Sequence, residues 1–297
     1  MTPAARINTE LLNLVRELGL LNRNCLNSGM TLSQAHILAY VNRNGPTPFA
    51  ELQVQLGLDK ASLSRTLNSL WQKEYLQVVN NSADKRAKNI EILPAGTSAI
   101  GRAEKLANIT VENLLCLCDE NTGTKVYEAL RCLRLSALRN SLAANPERAR
   151  IEPLRDVYFD SAMELVVQVF SGEQNIPSRL VPVSKSKSVK WWCVRVGEDV
   201  IGAAAAWKES EQWHWGRFAI DKNLRGIGIG NRLAVESITA LLTIHTDKII
   251  IEARDITVGI IEKLGGKQSR PLFDFFGEPV TPMIIDKEAF LQRAGKL

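Results

Sequence analysis

The run Arg225-Gly226-Ile227-Gly228-Ile229-Gly230-Asn231 sets three glycines at alternate positions behind an arginine, between a strand-like "GRFAI" and a helix-like "NRLAVESITALL". A helix starting there exposes main-chain N–H groups that have no partner within the helix. The helix dipole also favours negative charge at that end. Glycine keeps side chains out of the way of a bulky anion, and Arg225 is suited to phosphate oxygens. A diphosphate is therefore the expected ligand. The spacing is neither the G-x-G-x-x-G of dinucleotide sites nor a loop ending in GK[ST], so it disfavours both of those ligand classes.

A second group lies in the first half. Leu63, Leu67 and Leu70 recur at helical spacing in "DKASLSRTLNSL", which buries them and turns Ser62, Arg65 and Thr66 outward beside Lys60 and Ser64. A small, polar, basic helix face suits the DNA major groove. Downstream, "LQVVNNSADKRAKNIEIL" reads as a hairpin with Asp84, Lys85, Arg86 and Lys88 about its tip, where Arg86 can reach a minor groove or phosphates. Charge supports a polyanion partner for this half alone: about 18 basic and 13 acidic side chains precede residue 151, and the remainder balances at about 19 of each.

The elements that must position these groups differ between the halves of the 297-residue chain. Helical periodicity with one hairpin dominates the first, and "NPERARIEP" breaks it. The second alternates candidate strands ("RIEPL", "WWCVRV", "VIGAAAAW", "WHWGRFAI", "KIIIEA", "PLFDFF", "TPMIID") with three helices. The expected architecture is α+β in two domains: residues 1–146, mainly helical with one hairpin, and residues 147–297, a mixed α/β sheet.

Hydrophobic content of 45% suits two soluble cores, and the opening "MTPAARINTELLNLVRELGLLN" lacks the unbroken apolar run of a signal or spanning segment, so a cytoplasmic protein without membrane contact is expected. Five cysteines without repeated spacing and three isolated histidines argue against a disulfide framework or a metal site. Cys116 and Cys118 are read as buried thiols rather than a redox or metal pair. Trp213 and Trp215 share a strand face opposite His214, where they could cup an amine but more simply pack the sheet.

Two resemblances follow from these residues. "RGIGIG" matches R/Q-x-x-G-x-G/A, and with the strand before it, the helix after it and the later "KIIIEAR" it resembles the acyl-CoA loop of the GNAT acetyltransferases over roughly residues 151 to 290. The resemblance implies acetyl-CoA as acyl donor. It also implies main-chain pairing of the pantetheine arm along Phe218, Ala219 and Ile220, and a diphosphate loop of Arg225, Gly226, Ile227, Gly228, Ile229, Gly230 and Asn231. Amine acylation calls for a general base, for which Glu211, His214 and Asp255 are candidates. The family's usual aromatic pair is replaced by Ile260 and Ile261 in "TVGIIEKLG", so its common tyrosine acid is missing. A domain that only senses acyl-CoA or a small ligand is the alternative.

The segment from "LSQAHILAYVNRNG" to "NIEILPAG" resembles the winged helix-turn-helix of MarR-family regulators. That implies contact with double-stranded DNA through Lys60, Ser62, Ser64, Arg65, Thr66, Lys85, Arg86 and Lys88, and a homodimer joined by the first and last helices of the first domain.

Overall fold

The structure, a computed structural model, describes residues 1–80, 88–181 and 189–294. The chain divides into two compact units, Met1–Leu130 and Arg131–Leu297.

The first unit is mainly helical. It contains α1 (Pro3–Glu17), α2 (Leu32–Asn44), β1 (Thr47–Pro48), α3 (Phe49–Leu56), α4 (Lys60–Gln72), β2 (Leu76–Asn80), β3 (Lys88–Ile92), α5 (Pro94–Leu115) and the start of α6 (Thr122–Ala144). Its three strands pair antiparallel in the order β1-β3-β2. Thr31 and Gln34 form a reciprocal capping box on α2, while Gly57 ends α3 in the left-handed conformation. The core gathers Ile37, Leu38 and Val41 of α2, Leu52 of α3, Leu63, Leu67 and Leu70 of α4 and Ile100 of α5. Gly96 on α5 is fixed by close approach, since a Cβ there would stand 2.3 Å from the Tyr75 carbonyl oxygen. Cys116 and Cys118, expected to be buried, are exposed, because α5 ends at Leu115 and the turn that follows runs over the surface.

The second unit begins inside α6, before the break at residue 146 that the sequence suggested. Leu135 and Leu142 of that helix are buried in the second unit's core, with Leu138 packed against it. The remaining elements are β4 (Arg150–Pro153), α7 (Phe159–Val167), β5 (Lys190–Val196), β6 (Asp199–Glu209), β7 (Gln212–Ile220), α8 (Ile229–Ile244), β8 (Lys248–Ala253), α9 (Asp255–Lys263), β9 (Lys267–Gln268), β10 (Phe273–Phe275), β11 (Glu278–Asp286) and α10 (Lys287–Ala294). The sheet runs β10-β11-β8-β7-β6-β5-β4, with β9 added on β11. Every adjacent pair is antiparallel except β7 and β8.

Both faces of this sheet are covered. Ala204 and Ala206 of β6 face the core that includes α8, whereas Ala203 and Ala205 face the one that includes α7. Four small residues on a strand buried on both sides let helices approach closely. Trp215 is enclosed in the α8-side core, with its indole N–H donating to Ser237 Oγ at 3.0 Å, and Trp213 lies beside His245. The paired tryptophans thus serve packing. No helix among the described residues is long and apolar enough to cross a membrane, and no cluster of three or more His, Cys, Asp or Glu able to hold a metal occurs among them.

Candidate active site and nucleic-acid interface

The parallel pairing of β7 with β8 lasts only from Trp213↔Ile249 to Trp215↔Ile251. From Gly216 onward β7 pairs, among the described residues, with β6 alone, and no described strand covers its other edge. A bulge causes the divergence: the register against β6 shifts between Ala203 and Ala205, and Arg217 at φ 49° takes up the extra residue. The Asp221 amide bonds the Ile201 carbonyl, so by the alternation of an antiparallel ladder the main-chain groups of Phe218 and Ile220 face the open edge.

β7 then leads through a short turn into α8. Gly226 (φ 80°) and Gly228 (φ 84°) adopt conformations that side chains oppose, and Gly228 caps α8 without any side-chain hydrogen bond. A Cβ on Gly228 would meet nothing within 4 Å, whereas one on Gly230 would stand 3.2 Å from the Phe218 ring. Among the described residues the amides of Ile229, Gly230 and Asn231 have no recorded hydrogen-bond acceptor. Ile229 is buried in the core, Ile227 is half-buried, and Asn231 is exposed.

Arg225, expected in the diphosphate loop, is engaged by other residues of the second unit. Its guanidinium forks onto Glu173 at 2.7 and 3.0 Å, and its Nε donates to the Ile220 carbonyl at 3.0 Å. Glu173 closes a π-helical turn, Gln168–Glu173, that extends α7. Arg225 thus ties the glycine turn to β7 and α7 rather than standing free for an anion.

Residues of α6 hold the same turn. Arg139 donates to the carbonyls of Asn223 and Arg225 at 3.0 and 2.6 Å, and Arg131 pairs with Asp221. Asp221 is only 3% exposed and also accepts from the amide and side chain of Asn223. The sequence reading missed Arg131 and Arg139 because they lie on a helix assigned to the other domain.

Where β7 and β8 part there is a cleft of about 380 Å³ lined by His214, Trp207, Arg217, Phe218, Glu252, Arg254 and Phe170, with Ile176, Phe273 and Phe275 among the apolar walls. His214 is half-buried and stacks on Trp207 at 5.8 Å. Of the three candidate bases it alone lines the cleft. Glu211 is exposed in the β6–β7 turn, ion-paired with Lys208, and Asp255 is exposed on the first turn of α9. Glu252, which the sequence reading passed over, does line it. The signal lay in "KIIIEA": Ile249, Ile251 and Ala253 alternate into the core, which puts Ile250 and Glu252 on the other face, and Ile250 pairs with His214.

Arg217 projects into the cleft with its guanidinium 5.7 Å from the Trp207 ring and 5.9 Å from that of Phe170. Burial lowers its pKa and the Glu252 carboxylate opposes that shift. Burial pushes the Cys193 thiol up to about 12, with the Glu152 charge adding to the effect, so it has no thiolate to offer near neutral pH.

In the first unit, α4 carries Lys60 and Arg65 exposed, with Ser62, Ser64 and Thr66 half-buried. Asp59 caps the helix by accepting from the Ser62 amide at 2.9 Å and its hydroxyl at 2.6 Å, and Thr66 donates to the Ser62 carbonyl. The Ser62 and Thr66 hydroxyls are engaged locally, Arg65 also donates to Ser62 Oγ at 3.5 Å, and Lys60 and Arg65 are the exposed side chains of the set. Lys88 is exposed at the start of β3, whereas Asp84, Lys85 and Arg86 lie outside the described residues.

Comparison with known proteins agrees with this division. Residues 28–87 match the family model described as "MarR family", and residues 161–287 match "Acetyltransferase (GNAT) domain". Similar solved structures include Escherichia coli ElaA (16% identity, covering 46% of this chain and 98% of that one, TM-score 0.43). An acyl-CoA N-acyltransferase from Pseudomonas aeruginosa gives 15% identity over 46% and 98% of the chains, TM-score 0.41. The transcriptional regulator Tm0710 of Thermotoga maritima gives 27% identity over 46% and 96%, TM-score 0.34. None of the curated proteins matches the chain. The chain thus joins a MarR-like segment at residues 28–87 to a GNAT-type domain at residues 161–287.

Proposed function

We propose that the second unit transfers an acetyl group from acetyl-CoA to a primary amine and that the first binds double-stranded DNA as a homodimer, in the cytoplasm. The observation that carries the enzyme reading is the early end of β7–β8 pairing, which leaves an open strand edge between an uncapped helix start and a cleft holding Glu252 and His214. The pantetheine arm pairs along Phe218 to Ile220. The diphosphate meets the amides from Gly226 to Asn231, in a turn that Arg225 and Arg139 hold in shape. Glu252 takes the amine proton, directly or through water, as nitrogen attacks the thioester carbon. The C–S bond breaks, the electron pair leaves on sulfur, and the proton returns to that thiolate, giving an N-acetyl product and free CoA.

The ligand-sensing alternative draws support from the engagement of Arg225 with Glu173 and from Ile260 and Ile261 in place of aromatic residues. Steady release of free thiol from acetyl-CoA across an amine panel favours the enzyme, and tight CoA binding without turnover favours the sensor. Arg139→Ala is expected to weaken CoA binding in titration calorimetry by about 1–2 kcal/mol, through two lost hydrogen bonds to the loop carbonyls. Unaltered affinity would remove α6 from the site.

For the first unit, Arg65 enters the major groove from α4 while Lys60, Lys85, Arg86 and Lys88 meet phosphates. Arg65→Ala is expected to cost about 1–3 kcal/mol in anisotropy titrations against the protein's own upstream DNA, leaving CoA affinity unaltered. Affinity of the parent protein that stays flat as salt rises counts against groove binding altogether.

The dimer reading rests on apolar faces left open. Ile7, Leu11 and Leu14 fall on one side of α1, which buries no residue, and Val126 and Leu130 are exposed on α6. Light scattering is expected to return twice the 33.0 kDa chain mass, and Leu11→Asp to shift it toward one chain.

A further inference from the structure

We propose that the acceptor is a small amine that also carries a carboxylate, of the apolar or aromatic amino-acid class, with Arg217 holding the carboxylate and Glu252 facing the amine. This rests on the acyl-transfer reading and narrows its acceptor.

Arg217 is a cation placed in the cleft at some cost. It occupies the left-handed region at φ 49°, where a side chain is disfavoured, and its guanidinium is drawn against aromatic rings. Among the described residues only its Nη2 has a hydrogen-bond partner, the Leu180 carbonyl at 2.9 Å, and its buried Nε has none. A partly desolvated guanidinium with most of its donors unused calls for an anion, and a carboxylate matches its planar fork. Glu252 is near enough to influence the Arg217 charge, yet no direct ion pair joins the two among the described residues. Both charges thus line the cleft without pairing, beside Arg254, whose guanidinium donates to the Phe275 carbonyl at 3.1 Å. A molecule with an ammonium or amine at one end and a carboxylate at the other bridges them.

The rest of the cleft fits the same class. Phe170, Ile176, Phe273 and Phe275 supply apolar wall for a side chain, and about 380 Å³ lies toward the small end of ligand sites. Arg217 also argues against polycationic acceptors. The Trp207 face that could have received an ammonium has Arg217 and the His214 ring beside it.

The test uses full-length protein with acetyl-CoA and paired probes that differ by the carboxyl group alone: L-phenylalanine against phenethylamine, and L-leucine against isoamylamine. Thiol release is followed, and binding of each probe in the presence of CoA is read from tryptophan fluorescence. The expected result is a preference for the amino acid of about 10²-fold or more in each pair, because a site built for a charged group rejects the analogue lacking it. Arg217→Gln is expected to collapse that preference at least ten-fold and Arg217→Lys to restore part of it. The wild-type comparison stands even if a variant fails to fold. Turnover of the amines at rates equal to or above those of the amino acids overturns the carboxylate site and leaves acyl transfer intact. Tight amino-acid binding without turnover does the reverse, sinking acyl transfer and supporting the site. Absence of amino-acid binding overturns the proposal.

Discussion

Glu252→Gln is expected to lower kcat/KM for acetyl transfer by roughly 10²–10⁴ while leaving CoA affinity within about two-fold. That range is what a positioned general base contributes, and glutamine keeps the shape of the side chain while losing its capacity to accept a proton. Glu252 lies on β8 just past the last residue paired with β7, on the face shared with His214, and lines the cleft. Two companions make the assignment discriminating. Glu211→Gln is expected to have no effect, since that carboxylate sits exposed in the β6–β7 turn with Lys208. A rate that survives Glu252→Gln but is lost in His214→Ala transfers the role to the imidazole.

The second large effect is at Gly228. Gly228→Ala is expected to cost about 1–2 kcal/mol of stability from the left-handed backbone and, separately, at least ten-fold in CoA affinity. The new methyl meets no described atom within 4 Å, and it is added at the residue that caps α8, beside the amides where the diphosphate is proposed to sit. Gly197→Ala is the control for strain, because Gly197 also has positive φ (58°) with no atom near its Cβ but lies in the turn between β5 and β6. Thermal unfolding paired with CoA titration separates the two effects. A Gly228 variant that loses stability yet binds CoA normally removes the turn from coenzyme recognition, leaving the acyl-transfer reading to rest on the open edge of β7 and the cleft.

Both effects depend on groups of unequal legibility. The shape of the glycine turn could be read because it is local: left-handed φ at Gly226 and Gly228 and a helix start without a capping side chain follow from a few consecutive residues. The outward face of α4 was readable for a similar reason, since leucines at helical spacing dictate which side of the helix is buried, and Leu63, Leu67 and Leu70 are fully enclosed. Glu252 was half-readable. Strand alternation gave its face, but its nearness to His214 needed the parallel register of β7 on β8.

By itself, then, the sequence determined two units of different architecture, the strand-turn-helix that presents bare amides, and the polar face of α4, because each depends on periodicity or on glycine at neighbouring positions. Tertiary structure alone decided what Arg225, Arg139 and Arg217 do. Arg225 is turned onto Glu173 by the π-helical end of α7, Arg139 reaches the glycine turn from a helix far back in the chain, and Arg217 is thrown into the cleft by a bulge. A long cation can take any of several partners within reach, and which of them it meets is set by packing between distant segments rather than by its neighbours in sequence.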